Sequence, residues 1–535
     1  MKLILMLVKS ISLLLIFSAC VDQGKKNDKA FYVNLKGEPT TINPITSTDA
    51  YASGLHAYIF DSLMSRDVDT YEWQNHLAES HTINADKTEF TFKLRKNVKW
   101  HDGKPFTAHD VKFSFDIIMS DEFNTAHMRP YYEGIKEVTV VNDHEVIFKT
   151  QNTYFKNFDV AAGITVLPKH FYSDKARKDD FGKILIGTGP YKLTDYQRGK
   201  KIELTKNPDF WGASVPELKD QHNFEKIVLR FVSDDTVSLE MLKKHQLDFL
   251  SFRPEVFFKQ TEGEMWGNKV FKVQTTNNSP KGYNFVGWNL QHPILKDLQV
   301  RKALAYLFNR DLMIEKFEYG VSVKADGPVY PQSPYVNKNL PKIDYDPKKA
   351  LEMLKQAGWQ DSDGDNILDK VIDGVKTKFS ITILEPFEGF VKYLTVFKED
   401  AKNAGVDINI KVMEWNSFIK LVDERKFDAI RMAWSASVDW DPKQIWHSSS
   451  MKGGSNFVGF NHPDVDKLID EARLIFENDK RKIILDKVQE RIANEHPYFW
   501  FMYTKDTFYG HTNRIKKLKD TYMYGIGTEY WKLAE

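Results

Sequence analysis

The chain has 535 residues, a formal net charge of +1 and a single cysteine. That length exceeds what one hydrophobic core organises, so two or three domains are expected. Apolar residues make up 42% and aromatic residues 13%, which excludes global disorder, and the near-zero charge without a basic motif excludes nucleic acid as partner.

The N-terminus reads as an export signal. Lys2 and Lys9 flank the apolar runs 3–8 and 11–17, which together are short for a membrane span. The run ends in Phe17-Ser18-Ala19-Cys20, which resembles a bacterial lipobox cleaved before a lipid-bearing cysteine, with Phe17 where Leu is usual. Residues 1–19 are therefore expected to be a lipoprotein signal peptide, Cys20 the lipidated residue and 20–29 a polar tether. Because Cys20 is the sole cysteine, no intrachain disulfide can form. No later segment reaches eighteen consecutive apolar residues. The body is thus expected outside the cytoplasm, held to the cell envelope by lipid alone. In a Gram-negative cell that is the periplasmic face of either membrane.

Residues 31–35 read as a strand, followed by the turn Gly37-Glu38-Pro39 and a helix over 52–63. Phe90, Phe92 and Leu94 alternate with polar residues, the pattern of a half-buried strand. His101-Asp102-Gly103-Lys104-Pro105 supplies turn chemistry. Thr107 with Asp110 then makes a capping box, and Val111, Phe115 and Ile118 share one helix face. These roles account for the aspartates without catalysis, and the histidines are read as exposed. Gly187-Thr188-Gly189 suggests a phosphate loop, but the third glycine is missing and Pro190 blocks a helix start. A chain reversal into a hairpin over 191–206 fits better.

Further on, the helix from Asp297 buries Val300, Ala303, Leu304 and Leu307 and is expected to leave Arg301 and Lys302 facing out, with Asn309-Arg310-Asp311 ending it. Asp346 caps a helix that opens on Pro347. Asp361, Asp363, Asp365 and Asp369 alternate in DSDGDNILD, a spacing of oxygen ligands that suits Ca²⁺. Against calcium, Asn366 and Ile372 stand where an EF-hand has its glycine and its bidentate Glu, and Asx-turns alone explain the loop. No other cofactor is expected. Strand 378–384, helix 389–404 and strand 406–412 alternate as in an α/β fold.

Several of these segments carry a family resemblance. LRKNVKWHDGKPFTAHDVKFSF (94–115) is similar to the signature of the extracellular solute-binding proteins of family 5, the peptide/nickel type that serves ABC importers. Glu38 to Pro44, Asn75 to Ser80, Leu167 to His170, Gly187 to Leu193, Asn207 to Gly212, Asp297 to Leu304 and Gly453 to Ala472 resemble further family elements in the family's order. The resemblance runs from about Phe31 to the C-terminus.

It implies a bilobal periplasmic-binding-protein fold of the α/β class with an extra inserted subdomain and a two-segment hinge. The first lobe would be 30–65, 187–282 and 503–535, the subdomain 66–186 and the second lobe 283–502. It also implies a monomer that closes around a small solute, most often a peptide lying extended, and presents it to permease subunits. In peptide-binding members an acid four residues before a proline pairs with the ligand's α-amino group. That position is Val438, and a loop one residue shorter would give the role to Asp439, with Asp441 the second candidate. Trp434 and Trp415 are the expected apolar walls, and Asn289 sits on the strand expected to cross into the second lobe. A metal chelate, haem or oligosaccharide as solute, or a receptor without a transporter, are the other readings. An exported hydrolase has no G-x-S-x-G, H-E-x-x-H or P-loop to support it, and no partner can be named for His447-Ser448.

Overall fold

A computed structural model of the chain describes residues 29–535. The expected signal peptide, the lipidation residue Cys20 and all of the tether but Lys29 lie outside the described residues. Among the described residues no helix is long and apolar enough to cross a membrane.

Each lobe is built on a mixed sheet. The first has seven strands in the order 270–276, 506–512, 249–252, 30–35, 226–231, 201–206 and 191–197. Its Ala30–Leu35 strand opens on three buried residues and pairs in parallel with Lys226–Phe231 along its whole length. The second has five strands in the order 407–412, 380–385, 429–434, 283–288 and 498–500. Helices Leu298–Ala305, Pro347–Gln356 and Val391–Asn403 pack their apolar faces on it, in a core that includes Trp288, Phe308, Trp359 and Phe397. The chain crosses between these sheets at 277–282 and again at 501–505. A third, four-stranded antiparallel sheet, ordered 78–83, 89–94, 145–150 and 135–142, carries the helix Ala108–Met119. Mixed sheets covered by helices on two lobes are what the α/β reading requires.

The stretch around residue 100 ties this third sheet to the first lobe. Phe90, Phe92 and Leu94 are buried while Lys93 is exposed, as the alternation predicts. The Thr107 N–H donates to Asp110 Oδ2 at 2.9 Å, and Asp110 Oδ1 also accepts the N–H of Lys169 at 2.9 Å. Asp102 accepts from the Lys104 N–H and faces His170 Nε2 at 2.7 Å. His101 is half-buried rather than exposed. Its Nδ1 accepts the Gly187 N–H and its Nε2 donates to the Gly189 carbonyl at 3.0 Å, so the ring is a neutral clip on the segment that leads into the Tyr191–Gln197 strand. Burial pushes its pKa down to about 4. The two glycines are there for close approach: a Cβ on Gly187 would sit 1.7 Å from the Ile59 carbonyl oxygen.

Two sequence expectations need correction. Arg301 does not face out; it is 4% exposed, and its guanidinium takes the carbonyls of Leu295, Lys296, Glu495 and His496 at 2.7–3.2 Å. The last turn of the helix Asn478–Glu495 leaves carbonyls unpaired, and a buried cation satisfies them better than solvent would. Asn309 does not end the preceding helix, which stops at Ala305; its side chain caps the next one, accepting the Leu312 N–H at 3.0 Å.

Candidate solute cleft

A cavity of about 1020 Å³ lies between the lobes. One wall is the first-lobe segment around Thr40 and Asp49, the other the second-lobe residues Trp415, Trp434 and Trp440, with His127 and Tyr131 of the inserted subdomain over the top. A smaller chamber of about 520 Å³ adjoins it, sharing Tyr283, Trp415 and the strand end Met432–Ala436.

That strand end follows from the sheet. Ala429–Trp434 pairs with Tyr283–Trp288 along its full length, from Trp288↔Ala429 to Tyr283↔Trp434. On its other side the Ser380–Glu385 strand pairs only at Ala429 and Ile430 and then diverges. Beyond Ile430 one edge of the strand has no strand beside it among the described residues, and this edge borders both chambers. Extended backbone with open N–H and C=O groups is a template for a further strand.

Trp434 and Trp415, the expected apolar walls, both line the cavity. Trp434 lies parallel to Phe457, with ring centroids 5.6 Å apart, and donates from Nε1 to the Tyr498 hydroxyl at 3.1 Å. Trp415 meets Tyr51 of the first lobe edge-on at 5.7 Å, a contact across the cleft. Its Nε1 and the neighbouring Asn416 Oδ1 are shielded from solvent and have no hydrogen-bond partner among the described residues. Such polar atoms are costly unless something pairs with them.

The acids divide. The side chain of Asp441 is 1% exposed; it accepts the Tyr154 hydroxyl at 2.6 Å, Arg473 Nε at 3.1 Å and the Lys443 N–H at 3.1 Å. Its charge is already neutralised, so it is a structural residue and not a free anchor. Asp439 is partly open, 30% by side chain, taking the Tyr335 hydroxyl at 3.1 Å with Arg481 at 3.8 Å. Its carboxylate is close enough to add to the burial that raises the Tyr71 and Tyr330 phenols above their ordinary range. Asn289 is not brought to the cleft. It lies at the far end of the strand that begins with the cavity residue Tyr283, six residues or roughly 20 Å along. There its side chain holds the Phe427 carbonyl at 2.8 Å and the Gln291 N–H at 3.0 Å.

The sequence reading missed the clasp at the cleft mouth. Buried Arg473 reaches Asp441 within its own lobe and, in the inserted subdomain, Glu133 and the Pro130 carbonyl, with its guanidinium 4.0 Å from the Tyr154 ring centre. Lys443 joins Glu133 to Asp470, at 2.7 and 3.1 Å, and the Tyr131 hydroxyl donates to Gln444. Arg473 ends the helix Pro463–Arg473, where a cation reads as an ordinary dipole partner; only the fold reveals what it faces.

The acidic loop lies away from the cleft. Oxygens of Asp361, Asp363 and Asp369 come within 4.8 Å of one another and could hold a cation. Asp365 is drawn off by Lys378, so the four-aspartate set is not assembled. Lys376 pairs with Asp363 at 3.0 Å, Asp361 accepts the N–H groups of Gly364 and Asn366, and Ser362 caps Asp369.

Comparison with known proteins agrees with this architecture. The family model for bacterial extracellular solute-binding proteins, family 5, matches residues 72–456. The oligopeptide-binding protein AppA of Bacillus subtilis is 28% identical over 528 residues, covering 94% of this chain and 93% of that protein. Its solved structure in complex with a nonapeptide superposes with a TM-score of 0.85 at 26% identity, covering 95% of this chain and 99% of that one. NikZ of Campylobacter jejuni, solved in complex with Ni(L-His), shares the fold with a TM-score of 0.81 at 23% identity, covering 94% and 99% of the two chains. With a bilobal α/β body around a cleft and the family pattern matched over most of its length, the chain belongs to the bacterial extracellular solute-binding proteins of family 5.

Proposed function

We propose that the chain is the exported solute-binding subunit of an ABC importer, anchored by a lipid on Cys20, and that its solute is a peptide. The observation that carries the peptide reading is the open edge of the Ala429–Trp434 strand, which runs along a cleft of about 1020 Å³. An extended peptide adds to such an edge through main-chain hydrogen bonds, and its side chains fall alternately into the two chambers. Trp415 Nε1 and Asn416 Oδ1 offer one donor and one acceptor to the same solute. Asp439, which stands outside the lining of both chambers but keeps a partly open carboxylate with Arg481 at 3.8 Å, is the acid assigned to the solute's ammonium, because Asp441, which lines the cleft, is neutralised by Arg473. The nonapeptide complex of AppA supports a peptide of several residues. Closure of the two lobes then presents the loaded form to a permease.

Thermal shift of the soluble form beginning after Cys20, against di- to nonapeptides, tests this reading. A bound solute at a hundredfold excess over Kd stabilises by ~2.7 kcal/mol, which is readily seen. Peptides that shift the midpoint, and lose the shift when N-acetylated, agree with both the peptide and the Asp439 assignment. A shift with nickel–histidine and none with peptides replaces the peptide reading by a chelate.

A further inference from the structure

A side chamber of about 460 Å³ opens beside the main cleft, sharing His127, Tyr131 and Gln444 with it. Its charges come from the inserted subdomain: Arg66, Lys156 and Asp159. Arg66 is fully engaged. It pairs with Asp159 at 3.1 Å, donates to the Tyr71 carbonyl at 3.0 Å and lies 3.9 Å from the Trp73 ring centre. Asp159 also accepts Trp73 Nε1 at 2.7 Å. Burial lowers the pKa of His127, which leaves it neutral at pH 7. Lys156 is different. Among the described residues its ammonium makes one hydrogen bond, to the Asp439 carbonyl at 3.1 Å, and no carboxylate lies within 4.0 Å of it. An ammonium has three donors, so two remain for another group. Lys156 is therefore the charged residue lining this chamber that has no ion-pair partner within 4.0 Å among the described residues, whereas Arg66 and Asp159 hold each other.

We propose that this chamber is a carboxylate subsite of the solute cleft, with Lys156 as its specificity-determining residue. The proposal rests on the peptide reading and refines it. Lys156 is bonded to the backbone of Asp439, the residue assigned to the solute's ammonium, so the carboxylate it takes lies about one residue from the amino terminus. The terminal carboxylate of an extended pentapeptide is roughly 13 Å further on, at about 3.3 Å per residue. The expected source is thus the side chain of a first-position Glu or Asp.

The test compares Glu-Ala-Ala-Ala-Ala with Gln-Ala-Ala-Ala-Ala, both C-terminally amidated, by titration calorimetry. Wild type should bind the Glu peptide about tenfold more tightly, the effect of one partly buried charge pair. Lys156→Met should lose that ratio, whatever the loss of its bond to the Asp439 carbonyl does to the affinity for both peptides, while Lys156→Arg should restore the ratio. A gain on freeing the C-terminus instead, also lost in Lys156→Met, supports the carboxylate site and moves its source to the terminus. Equal affinities throughout, or a preference that survives in Lys156→Met, overturn the proposal. If neither peptide binds, the peptide reading fails by itself, and the chamber is read with millimolar glutarate against glutaramide at matched ionic strength. A glutarate-specific thermal shift in wild type and not in Lys156→Met upholds the site; no difference overturns it.

Discussion

Replacing Arg473 by Met tests whether the clasp at the cleft mouth contributes to stability as its burial implies. The Arg473 side chain is 6% exposed and its partner Asp441 1%, with Nε and Oδ2 3.1 Å apart. At an effective dielectric constant of about 20, two unit charges at that separation attract by roughly 5 kcal/mol. Much of this offsets the cost of desolvating both ions, so the net value of the pair is small. Removing one partner is a different matter, because the other charge stays buried; such losses run to about 3–5 kcal/mol. Asp441 keeps the Tyr154 hydroxyl and the Lys443 N–H, which puts the expected loss near the lower end, at about 3 kcal/mol. Arg473→Met also releases the Pro130 carbonyl and leaves Glu133 with Lys443 as its one remaining cation among the described residues. The thermal midpoint should fall by several degrees, and hydrogen exchange should rise first in 130–133 and 153–156. The double variant Arg473→Met/Asp441→Asn should recover part of the loss, since the orphaned charge is gone. A loss below ~1 kcal/mol, or a double variant worse than the sum of the singles, would refute the reasoning.

Acid should destabilise the protein well above the carboxylate range. Burial holds His101, His222 and His496 at a pKa of about 4 against an ordinary 6.5, so the unfolded chain takes up these protons first. Stability is then intact above pH 6.5 and declines as pH falls toward about 4, and calorimetry showing a flat midpoint between pH 7 and 5 would contradict this. Chelation with EDTA should leave the midpoint unchanged, because Lys376 and Lys378 already pair with Asp363, Asp365 and Asp369; a fall of several degrees, reversed by Ca²⁺, would show a bound ion after all. Trp415→Phe keeps an aromatic ring against Tyr51 but removes the unpaired Nε1–H, and should weaken peptide binding about tenfold with little change in stability. Unchanged affinity would mean that the solute does not use that donor.

What the sequence reveals about this protein is what short stretches decide for themselves. The Phe90–Leu94 alternation, the Thr107/Asp110 cap and the Asp346–Pro347 helix start depend on neighbours within a few residues, and all three stand in the structure. Arg301 was misread because the period of its helix points it away from the apolar face, whereas its true partners are carbonyls nearly two hundred residues later. Asn289 was misread for a related reason: a motif marks the strand that crosses into the second lobe but not which end of it meets the cleft.

The site follows the same logic. Trp415 and Trp434 were legible as cleft walls through the family pattern, but the difference between Asp439 and Asp441 was not, since both are acids two residues apart on one loop. It is set by Arg473 and Tyr154, which reach Asp441 from two other parts of the chain. That Lys156 has no ion-pair partner within 4.0 Å among the described residues is likewise visible only by accounting for every carboxylate around it in three dimensions. In a fold shared by proteins solved with a nonapeptide and with a nickel–histidine complex, the elements that build the lobes are common property. Solute choice must therefore reside in which charges the lobes leave unpaired when they meet. In this chain the partly open Asp439 keeps Arg481 at 3.8 Å, and the Lys156 ammonium bonded to its backbone has no ion-pair partner within 4.0 Å among the described residues.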